Sequence, residues 1–219
     1  MKKMILMSAI AISAAISANA QDLKTVLEKT FTTFDTTHSQ DVRIEQANKL
    51  SLIAKKWDAE WVTHYYVAYS KVTLTYFETD NAKKDALLDE ADKEMEETVS
   101  ILKKETDETH VLAAMIANAR MGVDPMNRWQ KYGQVFSGNL QSAKEINENN
   151  PRMYYLQGVS KYFTPKQFGG GAKAAMPYFE KAEGLFAKEA EAKKDITQPH
   201  WGQGMNTYFM GECKKAEKE

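Results

Sequence analysis

Ala175, Phe179 and Ala182 are spaced four and three residues apart in a helix-forming run from Ala172 to Ala192. At about 3.6 residues per turn they share one face, in the order small, large, small. A neighbouring helix can lie close at both small positions while the ring fills the gap between them. The order recurs as Phe136, Leu140, Ala143, as Ala91, Met95, Thr98, and in a set opening at Ala47. These starts repeat at about 40–45 residues. A face of this kind must be buried against the next unit, and three or more units are needed before such a stack is stable. The pattern therefore predicts an all-α solenoid of about four antiparallel helix pairs plus a C-terminal capping helix. A non-repeating all-α bundle is the alternative.

Helix formers fill nearly all of the chain after Gln21, and proline and glycine gather at the breaks. No alternating apolar run bounded by hairpin turns is present. Helices are expected over Leu23–Phe34, Asp41–Trp57, Asp58–Phe77, Ala82–Lys103, Asp107–Met121, Met126–Asn147, Pro151 to just before Pro165, Ala172–Ala192 and Trp201–Lys215. Asp41 and Asp58 are expected as N-caps, and Ile44 belongs to the predicted buried face of its helix. In the third helix Trp61, Tyr65, Ala68, Tyr69, Val72 and Tyr76 share one side, with Val62, Tyr66, Thr73 and Phe77 beside them. An apolar arc of about half the circumference suits a helix with neighbours on two sides. Lys83, Lys84, Asp85, Glu90, Glu94 and Glu97 read as a solvated face. Gly133 and Gly138 weaken the first half of the sixth helix. Pro177 marks the true start of the eighth helix or kinks it.

Lys2 and Lys3, the short apolar run Met4–Ile16 and Ala18-Asn19-Ala20 form a secretory leader with an A-x-A cleavage site. The run is too short to span a bilayer comfortably. The mature chain is expected to begin at Gln21 and to form one domain over 21–219, in the periplasm or outside the cell. Removing the leader leaves 27 basic against 30 acidic residues, without the basic excess that nucleic acid or an anionic membrane surface requires. Cys213 is the one cysteine, so no intrachain disulfide can hold the fold.

The motifs NPRMYYLQG at 150–158, TPKQFGGGAKAAMPYFEKA at 164–182 and PHWGQG at 199–204, with Tyr65-Tyr66 and ARMGVDP at 119–125, carry a resemblance. The chain resembles a family of secreted, degenerate tetratricopeptide-repeat proteins of Bacteroidetes-type bacteria. The glycine loop is similar, more distantly, to one in the tetratricopeptide partner of some periplasmic substrate-binding transport systems. The resemblance implies an exported helical-repeat fold and brings no known catalytic residues.

Candidate chemistry is sparse. His38, His64, His110 and His200 form no H-E-x-x-H and no Cys/His cluster. Glu60 and His64 share a face, as two zinc ligands or a surface ion pair would, but a zinc site needs a third ligand. Gly169–Lys173 lacks the phosphate-loop spacing; its glycines either permit an unusual backbone or help bind an anion. Arg120, Arg128 and Arg152 stand out in a lysine-rich chain, either bridging repeats or offering a fork to a ligand carboxylate. Tyr66, Tyr69, Tyr154, Tyr155, Tyr162 and Trp201 are core aromatics or the lining of a concave groove.

The sequence thus predicts a non-enzymatic interaction module that binds a protein, peptide or extended ligand, with Tyr66, Tyr69, Arg120, Arg128, Arg152, Tyr154 and Trp201 as the candidate binding residues. It gives no catalytic residue, no cofactor and no metal site. The alternative is a small-molecule-binding accessory of a periplasmic transport system.

Overall fold

The computed structural model describes residues 22–192 and 195–216. The leader, the proposed start at Gln21 and the last three residues of the tail lie outside them. Helix α1 covers 22–36. It is followed by α2 (Gln40–Lys56), α3 (Trp61–Thr75), α4 (Asn81–Leu102), α5 (Asp107–Val123), α6 (Pro125–Ile146), α7 (Pro151–Phe163), α8 (Ala172–Glu191) and α9 (Gln203–Ala216). Among the described residues there is no strand. No described helix is long and apolar enough to cross a membrane.

The helices pair in chain order, α3 with α4, α5 with α6 and α7 with α8, and α9 closes against α8. Side chains of α1 meet α3 through Phe31–Tyr66 and Phe34–Tyr69, with ring centroids 4.3 and 6.2 Å apart. Helices α3, α5 and α7 touch in succession and form an inner row, whereas α4 and α6 stand apart around a cleft. A stack whose one row packs more closely than the other bends toward the close row. The inner row therefore lines the concave side.

The small-large-small faces lie where the pairs meet. Ala91, Thr98, Ala143, Ala175, Phe179 and Ala182 are fully enclosed. Helix α7 answers Phe179 with a glycine: a Cβ at Gly158 would lie 2.5 Å from the Phe179 ring. The close contact of α7 with α8 thus depends on a missing side chain facing a large one.

Several local expectations change. Ser39, not Asp41, caps α2, accepting from the Val42 amide at 3.4 Å. Asp41 instead sits in the first turn, where its charge favours the helix dipole. Glu60, not Asp58, opens α3, and the Asp58 carbonyl faces His64 Nε2 at 3.1 Å. Ile44 is exposed and Arg43 buried, because the Arg43 stem packs inward while its guanidinium covers the Phe77 ring at 4.2 Å. Tyr76 and Phe77 are half exposed where α3 ends. Pro177 lies inside α8 rather than at its start, and α6 is helical from Pro125 despite its glycines. The face of α4 read as solvated is partly spent on neighbours: Glu94 pairs with His64, Glu90 with Lys71, and Asp85 with Arg128.

Phe179→Ala should lower unfolding free energy by about 3–5 kcal/mol through the cavity it leaves. Gly158→Ala should cost about 1–3 kcal/mol by overpacking the same contact. Urea denaturation of both variants checks this, and a neutral Gly158→Ala would mean that α7 and α8 are not held at this spacing.

Candidate functional site

Four tyrosines floor the upper part of the concave side. Tyr65, Tyr66 and Tyr69 come from α3 and Tyr155 from α7, and all four are buried. Successive turns of α3 aim these rings inward because the helix has neighbours on both sides. Across them lies the connection between α8 and α9. Ile196, Pro199 and Trp201 of this connection are buried. The Trp201 indole sits 4.9 Å from the Tyr69 ring and 6.3 Å from Tyr155, and its Nε1 donates to the Tyr65 hydroxyl at 2.8 Å. The Tyr66 hydroxyl donates to the Gln198 carbonyl at 2.8 Å. Lower on the same side, beyond this cover, are half-exposed Tyr76 near Asn118 and partly buried Tyr162.

Beneath Trp201 is a buried ionic cluster. Arg152 is 1% exposed. Its guanidinium donates to Glu108 at 3.1 Å, to both oxygens of Glu189 at 3.0 and 2.8 Å, and to the Pro199 carbonyl at 2.5 Å. Asn150 caps α7 at the Arg152 amide and also donates to Glu108 and Asp107. Tyr65 donates to the second Glu108 oxygen at 2.9 Å. Burial pushes the Glu108 carboxyl up, against the opposing pull of Arg152. For Arg152, burial works against the charge, yet Glu108 and Glu189 outweigh it and hold the guanidinium protonated. One donor, Arg152 Nε, is buried without a hydrogen-bond partner.

The outer cleft is different in kind. It encloses about 460 Å³ between α4, α5 and α6. Met95, Ile116, Ala117, Tyr132 and Val135 give apolar walls, and Asp89 and Asp92 stand on the rim. Arg120 donates to Asp89 at 2.7 Å and to Asp92 at 2.6 Å, and Arg128 makes a two-pronged contact with Asp85 at 2.6 and 2.8 Å. Trp129 and Met126 are exposed on the first turns of α6.

The sequence-predicted binding residues therefore separate into three places. Tyr66, Tyr69, Arg152 and Trp201 come together under the α8–α9 connection. Arg120 and Arg128 lie beside the outer cleft, engaged with aspartates of α4. Tyr154 turns away from both, donating to the Glu148 carbonyl at 3.0 Å under Lys181. Sequence reasoning missed Glu108, Glu189 and Asn150, whose partners are distant along the chain.

Other chemistry finds little footing. No group of three or more His, Cys, Asp or Glu could hold a metal ion among the described residues. Both ring nitrogens of His64 have partners, Nδ1 facing Glu94 at 2.6 Å and Nε2 the Asp58 carbonyl at 3.1 Å. In the glycine loop, the amides of Gly169, Gly170 and Gly171 donate to Lys166, Pro165 and Lys161 carbonyls, so these three are taken up within the loop. Gly169 and Gly171 do have positive φ, at 77° and 92°. The conformational role of these glycines thus explains the loop.

The fold and this site define an all-helical stack with an aromatic inner face. The HusA haemophore from Porphyromonas gingivalis has the same fold, with a TM-score of 0.73 and 31% sequence identity over 89% of this chain and 94% of that one. The chain belongs to the family of that haemophore. No family model matches it, and no curated protein does.

Two outcomes follow from the cluster and its phenols. Arg152→Ala should cost about 3–5 kcal/mol, because Glu108 and Glu189 would be left buried without their cation. Burial raises the phenols of Tyr65, Tyr66, Tyr69 and Tyr155 above their ordinary range. Stability from these groups is complete below the unfolded phenol value, about 10, and is lost as pH rises above it. Absorbance at about 295 nm should show these tyrosines ionising together with loss of helix, not before it.

Proposed function

We propose that this chain is an exported, non-enzymatic binding protein for haem or a similarly shaped tetrapyrrole, held on its aromatic inner face. The observation that carries the proposal is 31% identity to a haemophore across nearly the whole of both chains. The chemistry of the inner face supports it. A tetrapyrrole is flat and largely apolar, and aromatic walls suit it. Phenol oxygen is one of the side-chain ligands that haem iron accepts, and Tyr76 and Tyr162 are the rings left partly open there. The outer cleft suits it less well. Asp89 and Asp92 on its rim would repel the two propionates of haem, and the arginines beside them are already neutralised. The leader proposed for residues 1–20 would carry such a protein out of the cytoplasm.

A second reading, an extended peptide as ligand, has one observation in its favour. Tyr66 and Arg152 take up main-chain carbonyls of Gln198 and Pro199, as they would those of a bound peptide.

Titration of the purified protein with hemin should give a saturable shift of the Soret band at about one equivalent. Tyr76→Ala and Tyr155→Ala should weaken binding about tenfold each, roughly 1.4 kcal/mol, and Tyr132→Ala in the outer cleft should leave it unchanged. A titration with no saturable shift rules the tetrapyrrole out. Loss confined to Tyr132→Ala moves the site to the outer cleft.

A further inference from the structure

The connection between α8 and α9 is unlike the others. The turns α2–α3, α4–α5 and α6–α7 each take four residues, whereas this one runs from 192 to 202. Instead of turning tightly it crosses the inner row. Lys24 of α1 grips Asp195 at 2.6 Å, Tyr66 and Arg152 hold Gln198 and Pro199, and Trp201 plugs the tyrosine floor. Gly202 ends the crossing at φ 100°, where a Cβ would come within 3.0 Å of Phe186.

Three features show that this segment is fastened, not built in. Among the described residues, no backbone–backbone hydrogen bond joins 195–201 to another element; Gln198 donates only to Asp195 of the same segment. A cavity of about 190 Å³ lies along one flank, between Glu28, Phe31, Thr32 and Asp35 of α1 and Asp195, Ile196 and His200 of the segment. Underneath, Arg152 Nε is buried and unsatisfied, so the closed arrangement leaves one donor wanting an acceptor. A segment held by side chains alone, beside empty space, belongs to the low end of a protein's local stability range.

We propose that the slot between Tyr69 and Tyr155 is a binding site for a flat aromatic ring that the chain fills with its own Trp201, and that residues 195–202 are a latch which a ligand displaces. In the closed state the slot offers the tilted face of Tyr69, an edge-to-face contact with Tyr155, a hydroxyl to meet an edge donor and a cation 5.6 Å from the ring centroid. A larger planar ligand gains the same contacts once the indole leaves. The apparent affinity is then the intrinsic affinity multiplied by the fraction of time the latch is open. The part of this inference that concerns ligand rests on the tetrapyrrole reading; the latch itself does not.

Hydrogen exchange followed by mass spectrometry tests both parts. In the protein alone, amides of 196–202 should exchange at least about tenfold faster than those of α3 and α7, through an opening insensitive to low denaturant. With hemin bound, as the Soret band reports, exchange of 196–202 should rise while that of α3 and α7 slows. Ile196→Ala, which loosens the latch without touching the slot, should raise both latch exchange and hemin affinity, each by about tenfold. The latch is overturned if 196–202 exchanges in step with α3 and α7 in the protein alone. Displacement is overturned if bound hemin leaves exchange of 196–202 unchanged or slower. If hemin produces no Soret change, the tetrapyrrole reading falls, and the exchange of the protein alone still decides the latch.

Discussion

A single guanidinium holds the far end of this molecule together. Arg152 stands at the start of α7 and reaches α5 through Glu108, α8 through Glu189 and the α8–α9 connection through Pro199. Burying a charge so completely is costly unless its partners are equally well placed. The cost is offset here because Glu189 meets the guanidinium through both oxygens and Glu108 has further donors in Tyr65 and Asn150. The arrangement fixes the register of the last pair against its predecessor and gives Trp201 a cationic neighbour. The position of the aromatic face thus follows from an ionic contact beneath it.

Spacing along the stack comes from side-chain size. Ala91, Ala143, Ala175 and Gly158 permit close helix approach, and Met95, Leu140 and Phe179 fill what remains. Close packing of the inner row opens the outer row, so the concave aromatic floor and the convex acidic cleft are two results of one curvature. Their chemistry differs because the inner helices carry tyrosine and the outer ones carry aspartate and glutamate.

The fold was legible because its signals are local. A triplet at helical spacing, an Asn-Pro pair opening α7 and glycines with positive φ after α7 all act within a few residues of where they stand. The caps of α2 and α3 were misplaced by two residues each, since several polar residues in each turn could serve and only geometry selects one. The site was less legible. Arg152 could be singled out as scarce, but its acceptors lie 37 to 47 residues away in the chain and leave no local pattern. Trp201 and Tyr69 could be named as groove aromatics, yet nothing in the sequence says that one fills the place offered by the other. The outward aspartates of α4 read as ordinary surface until α5 and α6 bring arginines to them.

The salt bridge from Lys24 to Asp195 has a topological meaning. A simple array of hairpins is a line, in which each unit answers only to its neighbours and the ends can fray independently. Here the last connection returns to the first helix, so the line is drawn into a circuit. While that circuit is closed, loosening at either terminus is felt at the other. Once it is broken, the array regains the freedom of a chain of beads.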